Sequence, residues 1–216
     1  MSAFGHRLMR SAASLATVAI IGTALLTGVN ELTAERIAEQ ERRVVLEQLS
    51  QIIKPERYDN RLQEDRIVIE DEAFFPHGQS VTVYRARQGG KPAALVMKLA
   101  AVNGYNGTIR LLVGVNADGS LSGVRVASHK ETPGLGDAIE IERSDWVLGF
   151  NERSLQDPSA SGWAVKRDGG KFDQFTGATI TPRAVVEAVR MALEYFQKNQ
   201  AFLFESPAQD GLAEET

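Results

Sequence analysis

Residues Asp173 to Thr181 run Asp-Gln-Phe-Thr-Gly-Ala-Thr-Ile-Thr and stand directly before Pro182 and a stretch of helical periodicity. The start of a helix leaves backbone N–H groups unpaired and carries the positive end of the macrodipole, so it favours an anion such as phosphate. Gly177 and Ala178 leave the backbone uncrowded, so a bulky ligand can lie close to it. Thr179 and Thr181 share a face if the stretch is extended and bracket the helix mouth if it turns. A threonine hydroxyl can donate to a phosphate or become the ester oxygen of a phosphodiester. Asp173, six residues before Thr179, is either a solvated hairpin residue or an acid that binds a cation or helps deprotonate the hydroxyl. Taken alone, Thr-Gly-Ala-Thr is a weak signal, equally compatible with a plain helix cap.

A second stretch, His129-Lys-Glu131-Thr132-Pro133-Gly134-Leu135-Gly136-Asp137, is a loop in which Pro133 fixes one φ and two glycines are free to take positive φ. Such a loop can wrap a flat ring while offering backbone N–H and C=O groups; it can equally be a structural connection. His129 can titrate near neutrality, although a lone histidine at a strand end is more commonly a hydrogen-bonding residue than a catalyst. Asp137, Glu140, Glu142 and Asp145 form an acidic run that a solvated helix face explains better than a metal site. The three histidines, His6, His77 and His129, are too scattered for helical metal spacing. No Ser-His-Asp arrangement, dinucleotide-binding glycine motif or Walker sequence is present. Neither a catalytic residue nor a metal site is expected.

The composition is that of a globular protein. Arg7 and Arg10 are the basic residues of the first thirty, so residues 31–216 hold 24 − 2 = 22 basic groups against 28 acidic, a net −6. That balance argues against nucleic acid as a partner. The absence of cysteine excludes disulfides, thiolate catalysis, Cys-ligated zinc, iron–sulfur clusters and lipoprotein acylation.

The chain divides into residues 1–10, 11–30, 31–54, 55–205 and a polar tail at 206–216. Ser11 to Asn30 carries no charge and is long enough to cross a hydrocarbon core. Positive residues precede it, which predicts a cytoplasmic N-terminus and a translocated body. A cleaved signal peptide is the rival reading, weakened by a long apolar run and the lack of a small-x-small site. Residues 31–53 show three- and four-residue apolar steps, predicting a helical stalk that ends at Lys54-Pro55. Period-two alternation and turn residues predict strands from Ser80, over Ala93–Ala101, Thr108–Val115 and Leu121–Ser128, and a last hairpin over Trp163–Phe175. A short helix is expected over Asp137–Glu142. Pro182–Asn199 reads as an amphipathic helix with Thr181 as N-cap and Pro182 at N1. Tyr58–Glu72 has no clear pattern. The expected fold is α+β: an antiparallel sheet with packed helices, preceded by one transmembrane helix and a helical stalk.

Residues 103–137, NGYNGTIRLLVGVNADGSLSGVRVASHKETPGLGD, followed by DQFTGATITP, resemble the periplasmic FMN-binding domain of membrane electron-transport complexes. The resemblance covers nearly the whole chain and is nearest to the G-subunit family of Rnf-type (Rsx) ion-translocating oxidoreductases. The C subunit of the sodium-translocating NADH:quinone reductase is a related alternative, and an anchored ligand-binding or assembly module without redox role is another. The resemblance implies covalent FMN on Thr179 through a phosphoester, placed there from FAD by a magnesium-dependent flavin transferase. It assigns Asp173 to that modification step. It places Thr176, Gly177, Ala178 and Thr181 along the phosphate and ribityl chain, and Glu131, Thr132, Gly134, Leu135 and Gly136 beside the isoalloxazine. It also implies an electron relay between ferredoxin and NAD coupled to ion translocation, in the bacterial inner membrane, with the other polypeptides of the complex as partners.

Overall fold

The computed structural model describes residues 15–17, 19–23, 27, 46–75 and 78–209. The chain divides into two units, Met1–Val45 and Leu46–Thr216. In the first, residues 15–17, 19–23 and 27 are helical. Among the described residues no helix is long and apolar enough to cross a membrane, and much of the span expected at 11–30, like stalk residues 31–45, lies outside them.

The second unit is built on five strands: β1 (Arg66–Glu70), β2 (Ser80–Gln88), β3 (Lys91–Gly104), β4 (Gly107–Asn116) and β5 (Leu121–Ser128). They pair in chain order as an antiparallel meander. Short turns suffice because every strand pairs with its sequence neighbour. The four strands read from alternation are present, with β5 at the expected bounds. β1 comes from the unassigned Tyr58–Glu72 stretch; its burial alternates, but five residues flanked by charges are a faint pattern.

One face of the sheet carries Val81, Val83, Leu95, Met97, Leu99, Ile109, Leu111 and Val113, packed in one core with Val185, Val189, Leu193 and Phe196 of α1 (Ile180–Glu205). The four- and three-residue steps between those helix residues put them on one stripe. The opposite face buries Tyr84, Ala86, Ala94, Val96 and Leu112. Here Leu49, Ile52 and Ile53 are buried as well. Gly114 and Gly123 are register partners, and a Cβ on Gly114 would lie 2.2 Å from Ile52 Cγ2. Gly114 therefore leaves the slot into which Ile52 fits.

Four expectations need correction. α1 begins at Ile180, so Thr179 occupies the N-cap position and Pro182 is the third helical residue. Proline is still tolerated there, because first-turn N–H groups have no intrahelical acceptor. The helix also runs to Glu205, past a non-helical Asn199. Of the expected stalk only residues 46–54 are described, and of these 46–50 are helical. The last hairpin is not a ladder: residues 160–175 hold 3₁₀ turns at Ala160–Gly162 and Lys166–Asp168, and Val165 and Phe172 share a single parallel bridge. A Cβ on Gly170 would lie 1.9 Å from the Ala164 carbonyl oxygen, so the chain folds back on itself too closely for a strand pair. Trp163 and Phe172 instead plug into the aromatic core around Phe150, with Phe150–Phe172 centroids 4.7 Å apart. The short helix expected over Asp137–Glu142 is a 3₁₀ turn at Gly136–Ile139.

Candidate functional site

The two motifs meet at the N-terminal end of α1. Phe175 to Ala178 forms a tight turn in which the Ala178 N–H donates to the Phe175 carbonyl at 3.1 Å. Gly177 has φ +83°, the left-handed value that a type II turn requires at its third position. A Cβ on Gly177 would sit 3.5 Å from Leu135 Cδ2, which places the 131–136 loop alongside this turn. Thr179 follows at the N-cap position. Its backbone is already helical, at φ −82° and ψ −29°, and its side chain makes no capping hydrogen bond. A capping side chain normally accepts from the N2 or N3 N–H out of extended backbone. Here the hydroxyl is left for another use.

Thr181 is turned inward. It is buried, and its hydroxyl donates to Glu131 Oε2. Glu131 is itself only 4% exposed, and its Oε1 accepts from the Asn106 N–H at 3.0 Å. Asn106 Nδ2 also donates to Thr132 Oγ1 at 3.2 Å. One carboxylate therefore joins three segments: the β3–β4 hairpin tip, the 131–136 loop and the first turn of α1. Two glycines make room for it. A Cβ on Gly136 would lie 2.9 Å from Glu131 Cβ and 3.0 Å from Thr181 Oγ1, and one on Gly104 would lie 2.9 Å from Glu131 Oε1. Gly134 has φ +77° with open space where a Cβ would stand, and Leu135 is 44% exposed.

His129 braces the loop from behind. Its Nδ1 accepts from the Glu131 N–H at 2.9 Å, so its Nε2 carries the proton and donates to Glu140 at 2.9 Å. Arg143 approaches both Glu140 and buried Asp137 at 3.6 Å. The acidic run read as a solvated helix face is thus partly folded in against Arg143 and His129.

Asp173 stands at the other end of the turn, exposed, with Lys166 Nζ 2.6 Å from its carboxylate. Its backbone carbonyl accepts from Trp146 Nε1 at 2.8 Å, and Trp146 packs edge-on against Phe175 at 5.2 Å. On the first turn of α1, Arg183 forms a two-pronged pair with Asp168 at 2.6 and 2.9 Å. Hydrogen bonding from Arg183 holds the Asp168 carboxyl below the usual carboxylate range. Lys166 and Arg183 each offset one of the two aspartates near the helix mouth, which eases the electrostatic conflict of an acid beside a phosphate site.

All the residues of the two motifs are thus gathered at one end of α1, in two layers. Thr176, Gly177, Ala178, Thr179, Thr132, Gly134 and Leu135 are at least partly exposed, whereas Glu131, Gly136 and Thr181 are buried beneath them. Sequence reasoning passed over Asn106, Lys166 and Trp146. Asn106 lies in the Gly/Asn hairpin tip that opens the quoted stretch, which was the one signal available for it.

Residues 104–194 match the model of the FMN-binding domain family, and residues 1–52 match that of the RnfG N-terminal region. The G subunit of the ion-translocating oxidoreductase complex of Shewanella loihica is 47% identical over 201 residues, covering 93% of this chain and 95% of that protein. The corresponding protein of Pseudoalteromonas atlantica is 46% identical, covering 88% of each chain. That of Pseudomonas aeruginosa is 46% identical, covering 89% and 90%. With identity at this level running nearly end to end, and both family models matched, the chain belongs to the G-subunit family of the ion-translocating oxidoreductase complex.

Proposed function

We propose that this chain is a membrane-anchored electron-transfer subunit of an ion-translocating oxidoreductase complex, carrying FMN as a phosphoester of Thr179. The observation that carries this reading is the Thr179 side chain, which sits at the mouth of α1 without a capping bond, in a domain matched to an FMN-binding family.

The residues present fit that group. The phosphate end needs an unencumbered hydroxyl, backbone that leaves space, and a positive helix end; Thr179, Gly177 and the α1 N-terminus are those parts. The ring needs apolar surface beside an open space, and Leu135 and Gly134 are of that kind. Attachment replaces one bond by another. The Thr179 oxygen bonds to the flavin-side phosphorus of FAD, the pyrophosphate linkage breaks, AMP leaves, and the hydroxyl proton passes to a base. A separate transferase with magnesium carries this out, and the exposed carboxylate of Asp173 belongs to that step. When bound, FMN passes electrons one at a time, which makes it a relay between cofactors. The chain's own residues hold it. Glu131, Gly136 and Thr181 fix the loop against the helix from beneath, and Thr176, Ala178 and Thr132 shape the surface above. No side chain acts as acid or base toward a substrate.

The match of residues 1–52 to the RnfG N-terminal region favours this reading over the related quinone-reductase component. The partners are the other polypeptides of the complex and, during maturation, the transferase. The electrons run between ferredoxin and NAD, coupled to ion translocation. Residues 11–30 anchor the chain in the inner membrane with the flavin domain in the periplasm. Coexpression with a flavin transferase, followed by a denaturing gel under ultraviolet light, tests the central claim. A fluorescent band is expected, and a dark one overturns it.

A further inference from the structure

Most large apolar side chains of the folded unit are buried. Among its described residues those that stay exposed are Leu46, Tyr105, Leu135, Ile180 and Phe202. Leu135 lies in the 131–136 loop, and Ile180 is the residue after Thr179. Tyr105 is the most exposed, at 64%, and sits at the tip of the β3–β4 hairpin. No motif marks it as a binding residue. The hairpin tip is not a free turn, however. Its Asn106 is held by Glu131 at 3.0 Å and by Thr132 at 3.2 Å. A Cβ on Gly104 would lie 2.2 Å from the Gly107 carbonyl, so the tip is closed tightly and presses on Glu131. An aromatic ring is thereby carried on a fixed turn beside the loop that bears Leu135. Leaving such a ring in water forgoes the burial that drives folding, and stacking on a flat ligand recovers it.

The geometry points to Tyr105 as a flavin-contacting residue: with Leu135 and Ile180 it forms an apolar rim that closes on the isoalloxazine. This rests on the function proposed above and adds a third wall to the site. Asn106 is its positioning residue, acting through Glu131 and Thr132 rather than on the flavin.

The test uses the full-length chain in two arms. In the first, flavinylated wild type, Tyr105→Ala and Tyr105→Phe are matched for gel fluorescence after denaturation, then compared folded. Flavin emission should rise in Tyr105→Ala, and quenching by iodide should become more efficient. Tyr105→Phe keeps the ring and should retain wild-type shielding from iodide. In the second arm the unmodified chain is titrated with free FMN. Tyr105→Ala should bind about fivefold more weakly than wild type, the loss of one stacked pair, whereas Tyr105→Phe should bind as wild type does. A bright denatured band with unchanged folded emission and iodide quenching in Tyr105→Ala overturns this inference and leaves the proposed function standing. A dark wild-type band together with no binding of free FMN overturns both.

Discussion

Thr179 and Thr181 are the same residue type two positions apart, yet the fold separates their roles. Thr181 is 1% exposed and spends its hydroxyl on Glu131, while Thr179 makes no capping bond. Thr179→Ala should therefore abolish the fluorescent gel band while changing stability by no more than about 0.5 kcal/mol in chemical denaturation. Thr179→Ser should keep the band. The opposite pattern is expected for Glu131→Ala, which strands a buried hydroxyl and the Asn106 N–H. Unfolding should cost about 2–4 kcal/mol less, as a buried hydroxyl and a part-buried N–H lose their charged acceptor. The Glu-Thr-Pro-Gly-Leu-Gly loop was legible as a ring-wrapping candidate. That Glu131 points down into the fold was not, because its partners lie 25 and 50 residues away.

The strands and turns were legible because their determinants are local. Alternation placed β2 to β5, and Asn116 to Ser120 reads as a turn from its Asn, Asp, Gly and Ser content. That turn carries a titratable latch. The Ser120 hydroxyl and N–H donate to Asp118 at 2.6 and 2.9 Å, and the Asp118 carboxyl is held below its usual value, chiefly by the hydroxyl. A carboxyl depressed in the folded state stabilises at neutral pH, and that contribution disappears as pH falls through the folded value. Asp118 is largely solvated, so the contribution is small; a carbon-detected NMR titration should show its midpoint move up toward the ordinary carboxylate value in Ser120→Ala. The hairpin expected over Trp163–Phe175 failed for the converse reason. Two short apolar segments around a Gly-Gly turn mimic a hairpin when their aromatic residues are anchors in a core, and the Gly170–Ala164 approach reveals the difference. The Gly114 slot gives a further expectation. Gly114→Ala should destabilise by about 1–3 kcal/mol through overpacking against Ile52, and Ile52→Ala in the same chain should recover part of that loss in urea denaturation.

At the scale of the folded unit, α1 is fastened to the sheet at both ends. Glu131 holds its start. At its other end Arg85, 1% exposed, pairs with Asp65 and donates to the carbonyls of Leu203 and Ser206. Arg87 joins the same aspartate at 2.6 Å and donates to the Phe204 carbonyl. The last carbonyls of a helix lack intrahelical donors, and here two guanidinium groups supply them. Arg85→Ala should cost about 2–3 kcal/mol of stability, since the Leu203 and Ser206 carbonyls lose their charged donor while Asp65 keeps Arg87; denaturation in detergent measures it. The chain after α1 also stays on the sheet, with Gln209 bonded to Arg66 and Val68 of β1 at 2.9 Å. Of the polar tail expected at 206–216, Gln209 thus lies along β1 and bonds part of its edge.

From the residue string alone came the α+β class, the strand alternation, the amphipathic helix, the two motifs and the expectation of a membrane span. Each rests on interactions between residues a few positions apart, which leave a period or a spacing to read. What waited for the tertiary structure was every pairing across the chain: which threonine faces inward, that Arg85 is buried, that Ile52 needs a glycine at 114, and that the hairpin tip with Tyr105 stands beside the Glu131 loop. Those depend on which distant groups can satisfy one another's hydrogen bonds and fill one another's volume, and no local pattern records that choice.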